Sequence, residues 1–102
     1  MAVVDVTIVP VGTASASLSD YVAGCLAVLR GAEEISWRLT PMSTVIEGDL
    51  DRVLAVIKQM HEQPFIKGAG RVVTTIRIDD RRDKALTAAG KVAAVQARLG
   101  II

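Results

Sequence analysis

Leu39-Thr40-Pro41-Met42-Ser43-Thr44-Val45-Ile46-Glu47-Gly48-Asp49-Leu50 holds a strand end, a turn, a second strand and a helix start in one short stretch. Pro41 fixes φ and lacks an N–H, so the turn falls at Pro41-Met42-Ser43 between two β-prone runs. Gly48-Asp49 closes the second run, and Asp49 is placed to cap the helix that follows. A hairpin that feeds straight into a helix leaves few small folds to consider.

Upstream, Val3 to Val11 is β-branched except at Asp5 and Pro10, which predicts a strand, and Gly12-Thr13-Ala14-Ser15-Ala16 reads as a loop. Ser17 with Asp20 three positions later resembles a capping box. Leu18, Tyr21, Val22, Cys25, Leu26 and Leu29 then recur at helical spacing up to Gly31. The hairpin strands are Ser36–Thr40 and Thr44–Gly48. Leu50, Val53, Leu54, Ile57 and Met60 mark a second helix, which Pro64 is expected to kink or end. Gly68-Ala69-Gly70 breaks the chain, Arg71 to Asp79 forms a fourth strand, and Asp80-Arg81-Arg82-Asp83 is a charged turn. A third helix runs from about Ala88 to Leu99, with Thr87 as its N-cap.

The order β-α-β-β-α-β plus a C-terminal helix is the ferredoxin-like α+β arrangement, a four-stranded antiparallel sheet with two helices on one face. The 102 residues fit a single domain, residues 1–102, and 51% hydrophobic content supplies a core. Period-2 alternation puts Val4, Val6 and Ile8 with Val72, Ile76 and Ile78 toward the helices. Val3, Asp5, Thr7 and Val9, with Val73, Thr75, Arg77, Arg38 and Thr40, make the other face. A bare Val-containing sheet face is expected to be covered by a second copy, as a homodimer or a dimer of dimers.

Twelve basic and eleven acidic residues leave a net charge of +1, so no overall field favours nucleic acid or an anionic membrane. Tyr21, Trp37 and Phe65 form no stacking series on a strand, a second argument against nucleic acid. No apolar run approaches the roughly 20 residues of a membrane span. The lone Cys25 has no internal disulfide partner and the N-terminus lacks a secretory pattern, so the expected compartment is the cytoplasm.

Nucleophile–base pairs and metal-ligand spacings are missing: Cys25 lies in an apolar stripe, expected to be core, and His61 is expected to be a solvated helix residue. Gly12 to Ser17 is hydroxyl-rich and ends at a helix N-terminus, where free N–H groups receive an anion or a polar ligand atom, or simply form a capped loop. It lacks the Lys of a phosphate-binding loop. Glu47 shares a strand face with Val45, opposite Ile46, and offers either a ligand-binding carboxylate or an edge salt bridge. The turn from Asp79 to Asp83 is an ion-pair network or an anion site.

Three marks then coincide in order: Val9-Pro10-Val11-Gly12 with the serine-rich loop and Tyr21-Val22; Leu39 to Thr44 with Glu47-Gly48-Asp49; and Arg71 to Arg82. On these the chain resembles the small thiamine-binding protein family, related to the YkoF-like thiamine and hydroxymethylpyrimidine binders. The resemblance covers nearly the whole chain. It implies a ferredoxin-like fold, assembly into dimers or tetramers, no cofactor, and non-catalytic binding of thiamine or its hydroxymethylpyrimidine moiety. Within the matching motifs the expected ligand-binding residues are Glu47 for the aminopyrimidine, Thr44, Ser15 and Ser17 as hydroxyl partners, and Tyr21 or Met42 as walls. Ser43 departs from the Gly common in the family and is expected to narrow the pocket; Pro64 interrupts a helix that often continues. Two alternatives stand beside this: an oligomeric regulatory or interaction module binding another metabolite or a protein, and a small cofactor-free enzyme.

Overall fold

The computed structural model describes residues 1–100 and contains seven elements in the order expected. Strand β1 (Ala2–Val11) leads through a loop to helix α1 (Ser19–Arg30); β2 (Ile35–Leu39) and β3 (Thr44–Gly48) form the hairpin; α2 (Leu50–Ile66), β4 (Arg71–Asp80) and α3 (Ala88–Leu99) follow. All strand pairs are antiparallel and the sheet order is β2-β3-β1-β4, the ferredoxin-like arrangement.

Register explains the core. Val4 lies opposite Ile46 on one side and Ile78 on the other, and Ile46 lies opposite Trp37, so these side chains share the helix face. Val4, Val6 and Ile46 are buried against Cys25 and Leu29 of α1 and Val53, Val56, Ile57 and Met60 of α2. The α2 stripe at 53, 56, 57 and 60 follows the helical period, which is why this helix lies flat on the sheet. Ile76 and Ile78 sit on the same face but stay half exposed, because β4 is an edge strand.

At the hairpin turn, Thr40 N donates to Ser43 O at 2.8 Å and Ser43 N donates to the Thr40 hydroxyl at 3.1 Å. The turn therefore rests on side-chain as well as backbone bonds, as Pro41 at its start requires.

Three expectations need correction. Asp49 holds the N-cap position of α2 but makes no side-chain cap bond. Ser17 does not cap α1: the N-cap position is Leu18, with no side-chain cap bond. The loop hydroxyls close on one another instead, with Ser17 N donating to Ser15 Oγ at 3.1 Å. Pro64 neither ends nor breaks α2, which continues to Ile66 with Pro64 buried. A proline has no N–H for the carbonyl four residues back, here Met60. That carbonyl is satisfied from outside the helix by the Cys25 thiol of α1, Sγ to O 3.4 Å. The proline and the cysteine thus form one inter-helix device.

This predicts a specific cost. Cys25→Ala is expected to lose about 1–3 kcal/mol, the penalty for a buried carbonyl left unpaired, while Cys25→Ser keeps a donor and loses less. Burial pushes the thiol above its ordinary value of 9.0, against a smaller opposing pull from Lys67. A raised folded-state value means this contribution is intact below pH 9 and declines as the pH climbs above it. Urea unfolding at pH 7 and pH 10 should show a steeper alkaline loss for the parent than for Cys25→Ala; parallel losses would refute it.

Candidate functional site

Beneath the hairpin turn, between α1 and the ends of β1 and β2, lies a cavity of about 200 Å³. One wall is apolar: Leu18, Val22, Cys25 and Leu26 form the inner stripe of α1, and Leu39 and Met42 close it from the hairpin. The i, i+4, i+7, i+8 spacing of the α1 residues puts them on one helix face. The other wall is formed by Thr40, Ser43 and Thr44 of the hairpin, beside Thr7 of β1.

The Thr40 and Ser43 hydroxyls are held by hydrogen bonds. Thr40 Oγ1 donates to Ser43 O at 2.8 Å and accepts from Ser43 N at 3.1 Å. Ser43 Oγ donates to Asp5 Oδ2 at 2.6 Å, so the row terminates on a carboxylate. Asp5 lies on the opposite sheet face from Val4 and Val6, where Arg77 approaches it at 3.5 Å. Because the Arg77 side chain is 79% exposed, solvent screens that pair and leaves most of the Asp5 charge available.

The residues expected from sequence are only partly brought together. Met42 and Thr44 line the cavity; Ser15, Ser17 and Tyr21 do not. Glu47 lies across β3 from Thr44, three positions on and therefore on the other face, opposite Val3. Its Oε1 accepts from the backbone N–H of Ala88 at 2.5 Å, at the start of α3. Asp5 shares that face, two residues nearer the hairpin turn. The Asp5–Ser43 contact is not among the sequence-based expectations. The signal was a lone acid in an otherwise apolar strand, but its link to the turn spans 38 residues and has no local signature.

Elsewhere the charged turn is an ion-pair network. Arg81 makes a two-pronged contact with Asp83, Arg82 bonds Asp80 at 2.8 Å, and Lys91 of α3 pairs with Asp79. The arginines hold both carboxyls, Asp83 and Asp80, below the ordinary aspartate range. His61 is not simply solvated: its Nδ1 meets Thr74 Oγ1 at 2.6 Å, tying α2 to β4. No group of three His, Cys, Asp or Glu among the described residues is placed to hold a metal ion. No helix among them is long and apolar enough to cross a membrane.

Comparison with known proteins adds three findings. Residues 4–96 match the family model described as thiamine-binding protein. The UPF0045 protein YqgV of Bacillus subtilis is 50% identical over 102 residues, covering 97% of this chain and 98% of that protein. The crystal structure of protein MJ1052 from Methanocaldococcus jannaschii superposes with a TM-score of 0.82 at 35% identity, over 92% of this chain and 94% of that one.

Proposed function

We propose that this chain, which belongs to the thiamine-binding protein family, binds the aminopyrimidine end of a thiamine-like molecule in the cavity under the hairpin turn. It acts as an oligomeric binding protein without catalysis, in a reducing compartment that suits its single buried thiol.

The observation that supports this best is the make-up of the cavity: apolar walls facing a row of hydroxyls that terminates on Asp5. An aminopyrimidine is a flat apolar ring whose edge presents both donors and acceptors, and hydroxyls supply both. Its size fits the same assignment. About 200 Å³ is less than the ~300–1,000 Å³ that encloses a drug-sized ligand, so one ring enters and the rest stays at the mouth. The thiazolium of thiamine is a permanent cation, and Asp5 is the carboxylate tied to the cavity wall. Met42 and Thr44 keep the wall and hydroxyl roles expected of them, joined by Thr40 and Ser43.

Isothermal titration tests this. Thiamine and hydroxymethylpyrimidine are expected to bind with submillimolar dissociation constants. Thiamine phosphates should bind about as well as thiamine, because no Lys or Arg lines the cavity. Absence of heat from all of them at millimolar concentration would overturn the proposal.

A further inference from the structure

The chain has one cysteine and three methionines, and three of these four sulfur-bearing residues line the same cavity: Cys25 from α1, Met42 from the hairpin turn and Met60 from α2. They are far apart in sequence, so only the fold brings them to one space. Cys25 and Met60 are fixed by packing, 4% and 2% exposed, and the 3.4 Å contact from Cys25 Sγ to Met60 O marks how closely α1 and α2 approach there. Met42 differs. It lies at the hairpin tip, 85% exposed, where nothing confines its flexible thioether.

Thiolate and thioether sulfurs are soft donors, suited to Cu(I) and not to hard cations such as Mg²⁺ or Ca²⁺. Charge narrows the choice further. Among the described residues no Asp, Glu, Lys, Arg or His lines the cavity, whose walls are apolar side chains and neutral hydroxyls. An unbalanced charge would be penalised there by desolvation. One thiolate and two thioethers carry a single negative charge, so a univalent ion leaves a neutral complex and a divalent ion does not. The space of about 200 Å³ has room for one such ion.

The thiolate is the ligand, so the thiol proton leaves to solvent as the metal binds. Cys25 then no longer donates to the Met60 carbonyl, and Pro64 has no N–H to take its place. Coordination by Cys25 Sγ and Met60 Sδ joins the same two helices in place of that hydrogen bond.

We infer that Cys25, Met60 and Met42 form a three-sulfur site for a soft univalent metal ion, Cu(I), with Met42 closing it from the turn. This site goes beyond the aminopyrimidine reading and does not rest on it, since it needs the sulfurs and neither the hydroxyl row nor Asp5.

Anaerobic titration of Cu(I) into the intact chain, read by loss of the coloured bicinchoninate complex, should show one ion held per chain. X-ray absorption should then show a shell of three sulfurs, and Zn(II) should bind far more weakly. Cys25→Ser keeps a donor for the Met60 carbonyl, and with it the α1–α2 contact, yet should abolish Cu(I) binding. Met42→Leu conserves volume at an exposed turn position, so folding is not at stake. It should weaken Cu(I) at least about 10-fold, because loss of even an outer-shell partner costs roughly 10- to 100-fold in metal affinity. Cu(I) left wholly with bicinchoninate would overturn the site. So would Met42→Leu binding as tightly as the parent, a metal shell of oxygen or nitrogen, or Zn(II) held as tightly as Cu(I). A chain that binds thiamine but no Cu(I) would overturn the metal site and leave the proposed function standing.

Discussion

Ile46→Ala is expected to remove about 3–4 kcal/mol of folding stability, within the 2–5 kcal/mol that buried large-to-small changes cost. Ile66→Ala, at a position 73% exposed, should change it by less than about 0.5 kcal/mol. Ile46 is fully buried, lies between Val4 and Trp37 across the sheet, and faces both helices, so no single neighbour can relax into the space left behind. For a chain of this size the loss amounts to a fall in melting temperature of at least about 12 °C, out of a total stability on the order of 5–15 kcal/mol. Thermal and urea denaturation of the two variants side by side would measure it. A loss at Ile46 below about 1 kcal/mol would mean that β3 is shifted by one residue and that Val45 occupies the core side, because a one-residue slip turns every side chain over.

That parity was readable in the sequence, and it is the reason the fold was legible. Pro41, the Gly48-Asp49 pair and the β-branched run of β1 each act on their own neighbours, so their consequences can be read locally. Thr87 is of the same kind, and its hydroxyl does accept from Gly90 N. Pro64 misled because the relief of its missing hydrogen bond comes from Cys25, on a different helix. The site was harder for the same reason. Thr44 and Met42 belong to the hairpin, and both line the cavity. The Asp5–Ser43 link joins β1 to that hairpin through strand order and register, which no local motif encodes. Glu47, which the sequence offers as a ligand-binding carboxylate or an edge salt bridge, accepts the first N–H of α3 in the fold. A charge near a helix N-terminus needs no ligand to account for it.

The separation of Asp5 from Glu47 gives the second large effect. Asp5→Asn keeps an oxygen to accept from Ser43 Oγ but removes the charge at the end of the hydroxyl row. Thiamine, whose thiazolium is cationic, should then bind about 10- to 100-fold more weakly, the range that corresponds to losing a charged hydrogen-bond partner worth roughly 1.5–3 kcal/mol. Hydroxymethylpyrimidine carries no such charge and should lose less than about threefold, so the ratio of the two affinities isolates electrostatics from packing. Glu47→Gln serves as the comparison. Its carboxylate accepts from the Ala88 N–H two residues further along β3 from the position facing Asp5, and no bond ties it to the hairpin turn, so neither ligand should change by more than about twofold. Calorimetric titration of both ligands into the three proteins supplies every term. If Glu47→Gln weakens thiamine and Asp5→Asn does not, the carboxylate that meets the cation is Glu47. The ligand would then lie further along the open sheet face, at its α3 end and away from the hairpin cavity, where only a second copy of the chain could complete its pocket.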